Sequence, residues 1–174
     1  SDIDAVTGNS PLTNLVSGES DQTVDAGIYR QGSIGDLVWT DTNGNGIKDP
    51  TETGVNGVTV LLKDALGNVL QTAVTTNSPT TGAPGYYNFT VDPGTYIVMV
   101  MAPTGTTISP NGPVNPTTGN TAPITVTSGS TNTTTDAGLY QAASIGNYVW
   151  EDADKDGIQD GTELGVNGVT VQLK

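Results

Sequence analysis

The protein is 174 residues long and strongly acidic: 18 Asp and Glu residues against 5 Lys and Arg residues give a formal net charge of −13. Nucleic acids and anionic membranes bind clustered cations, so this charge argues against both as partners. The sequence also lacks Cys and His, which excludes disulfides, thiolate chemistry and a Ser–His nucleophile within the chain. No apolar run approaches the ~18 residues of a membrane span, and no catalytic residue is predicted.

Internal repetition divides the chain into three segments. Residues 33–63 align without gaps with residues 144–174 at an offset of 111, and 20 of these 31 positions are identical. The sequence D-A-G-I-Y at 25–29 returns as D-A-G-L-Y at 136–140, at the same offset. The repetition predicts the end of one repeat over 1–32, a complete repeat over 33–143 and the start of a third over 144–174.

The complete repeat has the pattern of β-strands throughout. Apolar residues alternate with polar ones in short runs, and Gly, Pro, Asn and Asp separate the runs, including a long loop at 103–121. The predicted strands are 34–40, 55–63, 69–76, 85–91, 95–101, 124–127 and 133–141. Short strands without helical periodicity predict an all-β protein with the architecture of an antiparallel β-sandwich.

Two loops have the spacing of a calcium-binding loop. After the first predicted strand the chain reads D-T-N-G-N-G-I-K-D-P-T-E, with oxygen ligands at loop positions 1, 3, 5, 9 and 12, Gly at 6 and a backbone carbonyl at 7. The predicted ligands are Asp41, Asn43, Asn45, the Ile47 carbonyl, Asp49 and Glu52. The later loop repeats the spacing with Asp152, Asp154, Asp156, the Ile158 carbonyl, Asp160 and Glu163. Two matches in the same context predict two EF-hand-like Ca²⁺ loops, here without the flanking helices of an EF-hand.

The stretch S-I-G-D-L-V-W-T-D-T-N-G-N-G-I-K-D-P-T-E-T-G-V-N-G-V-T-V resembles the start of the B repeats of bacterial serine-aspartate surface proteins, the SdrD B-like family, which is related to Cna-B modules. The later G-Y-Y-N-F-T-V-D-P-G-T-Y-I-V is similar to a hairpin of the same family. The resemblance implies a transthyretin-like (prealbumin-like) sandwich in tandem, with calcium in the first loop of each repeat. It also implies a secreted or surface-exposed stalk or spacer, and further calcium ligands, for which Asp25, Asp36 and Asp136 are candidates.

The sequence departs from related Cna-B modules in one respect. Those modules often contain a Lys–Asn isopeptide bond whose formation is promoted by a buried acid. Lys63 and Asn132 are conceivable partners here, but the hairpin at 85–100 has a single acid, Asp92, in its D-P-G turn. Without a buried carboxylate the bond is not expected, and Lys63 is interpreted as a solvated lysine at a strand end.

Four functions remain open from the sequence. The leading hypothesis is a non-enzymatic stalk, spacer or fibre module of a large extracellular surface protein, with neighbouring copies of the repeat as partners in one covalent array or filament. The alternatives are an adhesive module for a protein or glycan, or a self-assembling filament subunit, and more weakly an accessory domain of an extracellular enzyme. The loop 103–121 has no aromatic residue, which favours the first. We expect the segments 1–32 and 144–174 to continue covalently into similar repeats.

Overall fold

The structure, a computed structural model, describes residues 3–4 and 7–173. Residues 1, 2, 5, 6 and 174, which belong to the predicted first and third segments, lie outside the described residues. The described residues form nine β-strands and no helix, which confirms the all-β prediction. The strands are β1 (Gly32–Thr40), β2 (Thr59–Asp64), β3 (Val69–Val74), β4 (Tyr86–Val91), β5 (Gly94–Met101), β6 (Thr107–Ile108), β7 (Ile124–Val126), β8 (Thr131–Asn132) and β9 (Ala137–Tyr140).

The strands form a sandwich of two sheets. One sheet has the order β4-β1-β9-β6, with β8 also pairing with β1, and the other has the order β3-β2-β5-β7. Most pairs are antiparallel, but β1 pairs in parallel with both β8 and β9. The parallel pairs arise because the chain crosses from β7, in the second sheet, back to the first sheet, and so re-enters beside β1 in the same direction.

The core follows from the alternation within the strands. On β4 and through the middle of β2, buried side chains alternate with more exposed ones, as the period of two requires. The shared core contains Ile34, Val38, Val58, Val60, Leu62, Tyr87, Phe89, Val91, Val98, Val100, Ile108, Val114, Val126, Ala137 and Leu139. Both sheets contribute to it, so each sheet covers the apolar face of the other.

Some strand boundaries differ from the predicted ones. Strand β2 begins at Thr59 rather than at residue 55, because Gly57 takes a positive φ of 83° and the chain turns there. The predicted loop 103–121 contains β6, and only 137–140 of the predicted strand 133–141 forms a strand, β9, while the short β8 precedes the predicted range. These short strands pair with distant segments, which local sequence patterns do not reveal.

The chain divides into two compact units, one within residues 1–141 and one within residues 142–174. The second unit has no regular strand in its described part, but it keeps an isolated bridge between Trp150 and Gly165, the counterpart of the Trp39–Gly54 bridge. Its apolar residues are exposed where their counterparts are buried: Ile145 is 82% exposed and Ile34 is 0%. No helix in the described part is long and apolar enough to cross a membrane.

Candidate metal centre

The first loop begins where β1 ends, at the edge of the core. Trp39 is buried directly before the loop and bridges to Gly54 directly after it. The amide of Asp41 donates to the carbonyl of Leu139 on β9 at 2.8 Å. Both ends of the loop are therefore attached to the sandwich, and Trp39 packs into the structure rather than offering a sugar-binding surface.

Asp41, at loop position 1, organises the turn around its carboxylate. Its Oδ1 accepts hydrogen bonds from the amides of Gly44 and Asn45 at 2.7 and 3.2 Å, and its Oδ2 accepts one from the amide of Gly46 at 2.7 Å. The side chain is fully buried. Such a buried carboxylate is stabilised because several donors converge on it.

Glu52, at loop position 12, closes the loop from the other end. Its Oε1 accepts a hydrogen bond from the amide of Thr42 at 2.7 Å, and its Oε2 accepts one from the amide of Asp49 at 3.0 Å. The hydroxyl of Thr42 also donates to Oε1, at 3.1 Å. The carboxylate thus ties loop positions 2, 9 and 12 together, and only 6% of the residue is exposed.

The remaining predicted ligand positions lie between these two carboxylates. The Oδ1 of Asn43 accepts from the amide of Asn45 at 3.0 Å, and the Oδ1 of Asn45 accepts from the amide of Ile47 at 2.7 Å. The Nδ2 of Asn43 donates to Oδ2 of Asp49 at 2.8 Å, which brings positions 3 and 9 together. The loop therefore curls so that side chains at alternate positions interact within it.

Electrostatics in the first loop favour ionised acids. Burial raises the pKa of Asp41, but the Ser109 hydroxyl and the three loop amides together outweigh burial and hold this pKa below its ordinary value. The Asp49 amide, followed by the Thr42 donors, lowers the pKa of Glu52 against opposition from desolvation and from the Asp41 charge. Both carboxylates are therefore negative at neutral pH, as ligands for a cation must be.

One lysine offsets part of this charge. The Nζ of Lys48 donates to the carbonyl of Asp49 at 3.1 Å and, through a very short hydrogen bond, to the carbonyl of Glu52. These bonds cover the C-terminal end of the loop. Its counterpart in the second loop is Gln159, so this ammonium group is particular to the first loop.

The rest of the sandwich supports the first loop closely. A Cβ on Gly46 would lie 2.0 Å from the carbonyl oxygen of Pro110, so this position excludes a side chain in addition to requiring a positive φ. A Cβ on Gly138 of β9 would lie 3.0 Å from both Asp41 Cβ and Trp39 Cζ2. Sequence reasoning finds Gly46 from the loop pattern but misses Gly138 and Ser109, because only the fold brings them to the loop.

The second loop repeats the carboxylate frame at its first position. The Oδ1 of Asp152 accepts from the amides of Lys155 and Asp156 at 2.6 and 3.2 Å, and its Oδ2 accepts from the amide of Gly157 at 3.0 Å. These are loop positions 4, 5 and 6, the same positions that bind Asp41 in the first loop. A local sequence pattern therefore produces the same turn in both units.

The closing carboxylate is repeated as well. Glu163 accepts from the amides of Ala153 and Asp160 at 2.7 and 3.0 Å, again loop positions 2 and 9. The Oδ1 of Asp156 accepts from the amide of Ile158 at 2.7 Å, as Asn45 does from Ile47. The two loops thus share one hydrogen-bond frame despite their different charges.

Three acids of the second loop form a tight cluster. Asp152, Asp154 and Asp156 each place a carboxylate oxygen within 4.8 Å of the other two. Among the described residues, no other group of three acids meets this distance. The equivalent positions of the first loop hold one Asp and two Asn, so they offer oxygen ligands with less negative charge.

Asp36 and Asp136 form a separate acidic pair. Their carboxyl groups lie close enough for their charges to interact, and Oδ1 of Asp136 accepts from the amide of Leu37 at 3.2 Å. Burial raises the pKa of Asp36, and burial together with the Asp36 charge raises the pKa of Asp136 to about 6. Below about pH 6 the folded pair therefore retains one proton, because two adjacent half-buried carboxylates resist double ionisation.

The other predicted residues lie elsewhere. Asp25 is exposed in the segment before β1 and does not join Asp36 and Asp136 in a described cluster of three acids. Lys63 is half-buried rather than solvated, and its Nζ lies 3.3 Å from Oδ1 of Asn120 and 2.9 Å from Sδ of Met99. Its neighbour is therefore Asn120 rather than the conceivable partner Asn132, because β2 and Asn120 both lie beside β5.

Comparison with known protein families identifies the family of the chain. The SdrD B-like domain matches residues 32–139 and again residues 143–174. The chain belongs to the SdrD B-like family. The two matched ranges each contain one of the loops, so the family assignment covers both candidate sites.

The chain is also similar in sequence to longer staphylococcal proteins. The chain is 45% identical over 166 residues to serine-aspartate repeat-containing protein D of Staphylococcus aureus strain Newman, an alignment that covers 91% of this chain and 12% of that protein. It is 41% identical over 169 residues to serine-aspartate repeat-containing protein F of Staphylococcus epidermidis, covering 93% of this chain and 9% of that protein. The chain therefore spans about a tenth of the length of these relatives.

Proposed function

We propose that this SdrD B-like chain is a calcium-stabilised structural module of a bacterial surface protein. The observation that carries the proposal is the hydrogen-bond frame shared by the two loops. In each loop, the carboxylates at positions 1 and 12 accept hydrogen bonds from backbone amides at the same positions. The side-chain oxygens of the positions between them therefore lie along one curled segment. Membership of the SdrD B-like family supports the same conclusion.

The ligand chemistry favours calcium over softer metals. All side-chain ligands in the two loops are carboxylate or amide oxygens, and the sequence has no Cys or His. Hard cations take oxygen ligands, and a twelve-residue loop that ends in Glu suits the six to eight ligands of Ca²⁺. The proposed ligands are those of loop positions 1, 3, 5, 7, 9 and 12 in each loop.

The position of the first loop explains how an ion would stabilise the fold. Asp41 follows β1, and Glu52 precedes the bridge at Gly54. An ion held by both residues would join the first sheet to the chain that leads into β2. It would also neutralise carboxylates that otherwise repel one another, and binding to the folded state alone adds stability.

The acidic pair is a second candidate position for an ion. Asp36 and Asp136 place two half-buried carboxyl groups together, and a divalent cation would offset their mutual repulsion. Asp25 is the repeat counterpart of Asp136, so the same position in a preceding repeat would carry one of the two acids. We propose Asp36 and Asp136 as supplementary ligands, with Asp25 as the equivalent ligand in its own repeat.

The repeat structure supports a stalk rather than an enzyme. We propose the boundaries 1–32, 33–143 and 144–174 for the three repeat segments, with neighbouring repeats as the partners and the cell exterior as the location. Intact-mass measurement of the natural mature protein tests the covalent array. A mass far above the 17.7 kDa of this chain is expected, whereas a mass near 17.7 kDa would instead support a self-assembling subunit.

Calorimetric titration of the 174-residue chain with calcium tests the binding directly. We expect binding at both loops in the wild-type protein. In Glu52→Gln the heat from the first loop should be lost and that from the second should remain, because Glu52 supplies the closing ligand of its own loop alone. Absence of binding in the wild type, or an unchanged titration in the variant, would refute the assignment of the first loop.

A further inference from the structure

Two turns of the complete repeat hold the segment that enters β1. Residues 25–29 correspond at the repeat offset to 136–140, so Tyr29 is the counterpart of Tyr140, the last residue of β9. The residues directly before β1 thus belong to the closing strand of the preceding repeat. How this segment is held determines how two successive repeats are joined.

The first contact is the turn between β4 and β5. The Nε2 of Gln31 donates to Oδ1 of Asp92 at 3.1 Å. The exposed hydroxyl of Tyr29 lies beside the same carboxylate, and its interaction with Asp92 raises the pKa of Tyr29. The carbonyl of Asp92 accepts from the hydroxyl of Tyr96 at 2.8 Å, so the carboxylate stands on a turn that is itself fixed to β5.

The second contact is the turn between β7 and β8, and it holds the backbone. The amide of Arg30 donates to Oγ of Ser128 at 2.9 Å, and the amide of Gly129 donates to the carbonyl of Arg30 at 3.0 Å. Bonds between Thr127 and Ser130 close this turn, including Thr127 amide to Ser130 Oγ at 3.0 Å. Both backbone polar groups of Arg30 are therefore bound.

Gly32 allows the close approach of the two segments. A Cβ at this position would lie 2.5 Å from Cγ1 of Val126 and 2.6 Å from the carbonyl oxygen of Ser130. Both distances are far below van der Waals contact, so a larger residue would push the entering strand away from the β7–β8 turn. The absence of a side chain here is a requirement of the joint.

We propose that the turns at 92–94 and 127–130 form a clasp that docks the end of the preceding repeat and fixes the joint without a metal ion. The partner that fits this clasp is the segment Tyr29–Arg30–Gln31 followed by Gly. None of the clasp residues is a proposed calcium ligand. Segments that leave one domain for the next are mobile unless contacts restrain them, and here three hydrogen bonds from two turns supply the restraint.

The chain itself contains a sequence that lacks two parts of the clasp. At the repeat offset, Gln31 corresponds to Ala142 and Gly32 to Ala143. Alanine offers no amide donor to a carboxylate, and its Cβ would not fit at the position of Gly32. The substitutions Gln31→Ala and Gly32→Ala therefore give the first joint the residues of the second at these two positions.

The rate of cleavage by a protease that cuts after arginine measures how often the clasp opens. Arg30 is the sole arginine of the sequence, and cleavage of the Arg30–Gln31 bond needs this backbone released into an extended, accessible state. The 174-residue protein is digested in calcium and in chelator, and the loss of intact mass is followed with time. We expect slow cleavage of the wild type at similar rates in both solutions.

Variants distinguish the effect of the clasp on the cleavage rate from the effect of the overall charge of the chain. Ser128→Ala and Asp92→Ala should each speed cleavage about fivefold, the worth of a hydrogen bond or two. Asp92→Asn keeps an acceptor oxygen and should stay within about twofold of the wild type, as should Asp21→Asn, which removes an exposed charge outside the clasp. Equal rates for the wild type and both alanine variants would overturn the proposal. The proposal would also be overturned if chelator accelerated cleavage of the wild type as much as the alanine substitutions do. That result would show that bound ions, rather than the clasp, restrain the joint.

Discussion

The two loops share a sequence frame and a hydrogen-bond frame but differ in their surroundings. In the first, Asp41 is fully buried, and Gly46 packs against the carbonyl of Pro110. In the second, the residues at 153–162 are exposed, and a Cβ on Gly157 would meet no described atom within 4 Å. The turn itself is therefore local, whereas its burial depends on the rest of a complete repeat.

The two loops also differ in charge. The first has three acids, two Asn ligands and the ammonium group of Lys48 across its end. The second has five acids, three of them in one cluster. Without an ion the first loop already satisfies much of its own charge, while the second retains repulsion that a cation would remove. If both loops bind calcium as proposed, the ion would order the second loop and reinforce the first.

The largest expected difference comes from removing the first ligand of each loop. Asp41→Ala leaves three amides in a buried turn without their acceptor and should lower the free energy of unfolding by about 3 kcal/mol, even in chelator. Asp152→Ala removes the same bonds from an exposed loop and should change the main unfolding transition by less than about 0.5 kcal/mol. Urea unfolding of both variants in chelator makes the measurement, and similar losses would end the distinction between the loops.

Adding negative charge to the first loop should make its stability and calcium affinity resemble those of the second. The double variant Asn43→Asp, Asn45→Asp copies the later loop and should cost about 2 kcal/mol in chelator, because adjacent carboxylates repel and the Asn43–Asp49 bond is lost. In calcium the same variant should bind more tightly, because ligand charge generally raises affinity. Calorimetry and unfolding together check both signs; weaker binding would show that geometry outweighs charge.

Acid titration should separate the first loop from the Asp36–Asp136 pair. The pKa of Asp136 is raised from 3.8 to about 6, so the folded state binds the extra proton and stability in chelator should rise as pH falls from about 6 to about 4. After screening at this half-exposed pair the gain is about 1 kcal/mol. Below that window stability should fall, because the lowered pKa values of Asp41 and Glu52 make protonation favour the unfolded state.

Asp136→Asn supplies the control for this pH profile. The variant should abolish the rise between pH 6 and pH 4 and leave the acid loss at lower pH in place. Urea unfolding at several pH values in chelator makes the comparison. A rise that persists in the variant would assign it to another group.

The smallest difference concerns loop position 4. Lys155 has a positive φ of 65°, whereas the first loop has Gly44 there, with a φ of 68°. A Cβ on Gly44 would have room, with Cγ of Tyr140 at 4.0 Å, so Gly44→Lys should cost about 1 kcal/mol through backbone strain alone. Lys155→Gly should relieve the equivalent strain, seen as slower amide exchange at Gly157 in calcium. No cost for Gly44→Lys would show that the loop tolerates this conformation freely.

Sequence patterns predict this fold well wherever the structure is local. Alternation predicts β4 and β5, and the loop spacing predicts which residues share the carboxylate frame, because twelve consecutive residues contain all of its bonds. The parallel return of β9 beside β1 is not predictable in this way, since its partner lies about a hundred residues earlier.

The surroundings of the site are missed for the same reason. Ser109 and Gly138 reach the first loop only when the chain has crossed between sheets, and neither belongs to a recognisable motif. Lys63 is interpreted from sequence as solvated, but β5 and the segment at Asn120 cover it. The half-buried pairing of Asp36 with Asp136 depends likewise on strands that are distant in sequence.

Thermal unfolding with and without calcium tests the central claim most directly, that an ion in the first loop stabilises the complete repeat. The wild-type chain and Glu52→Gln are melted in millimolar calcium and in chelator. At 100–1,000 times the dissociation constant, one site adds roughly 3–4 kcal/mol, which raises the wild-type midpoint by roughly 10–20 °C. The variant should lose most of this response. An unchanged wild-type midpoint, or an equal calcium response in Glu52→Gln, would contradict the account.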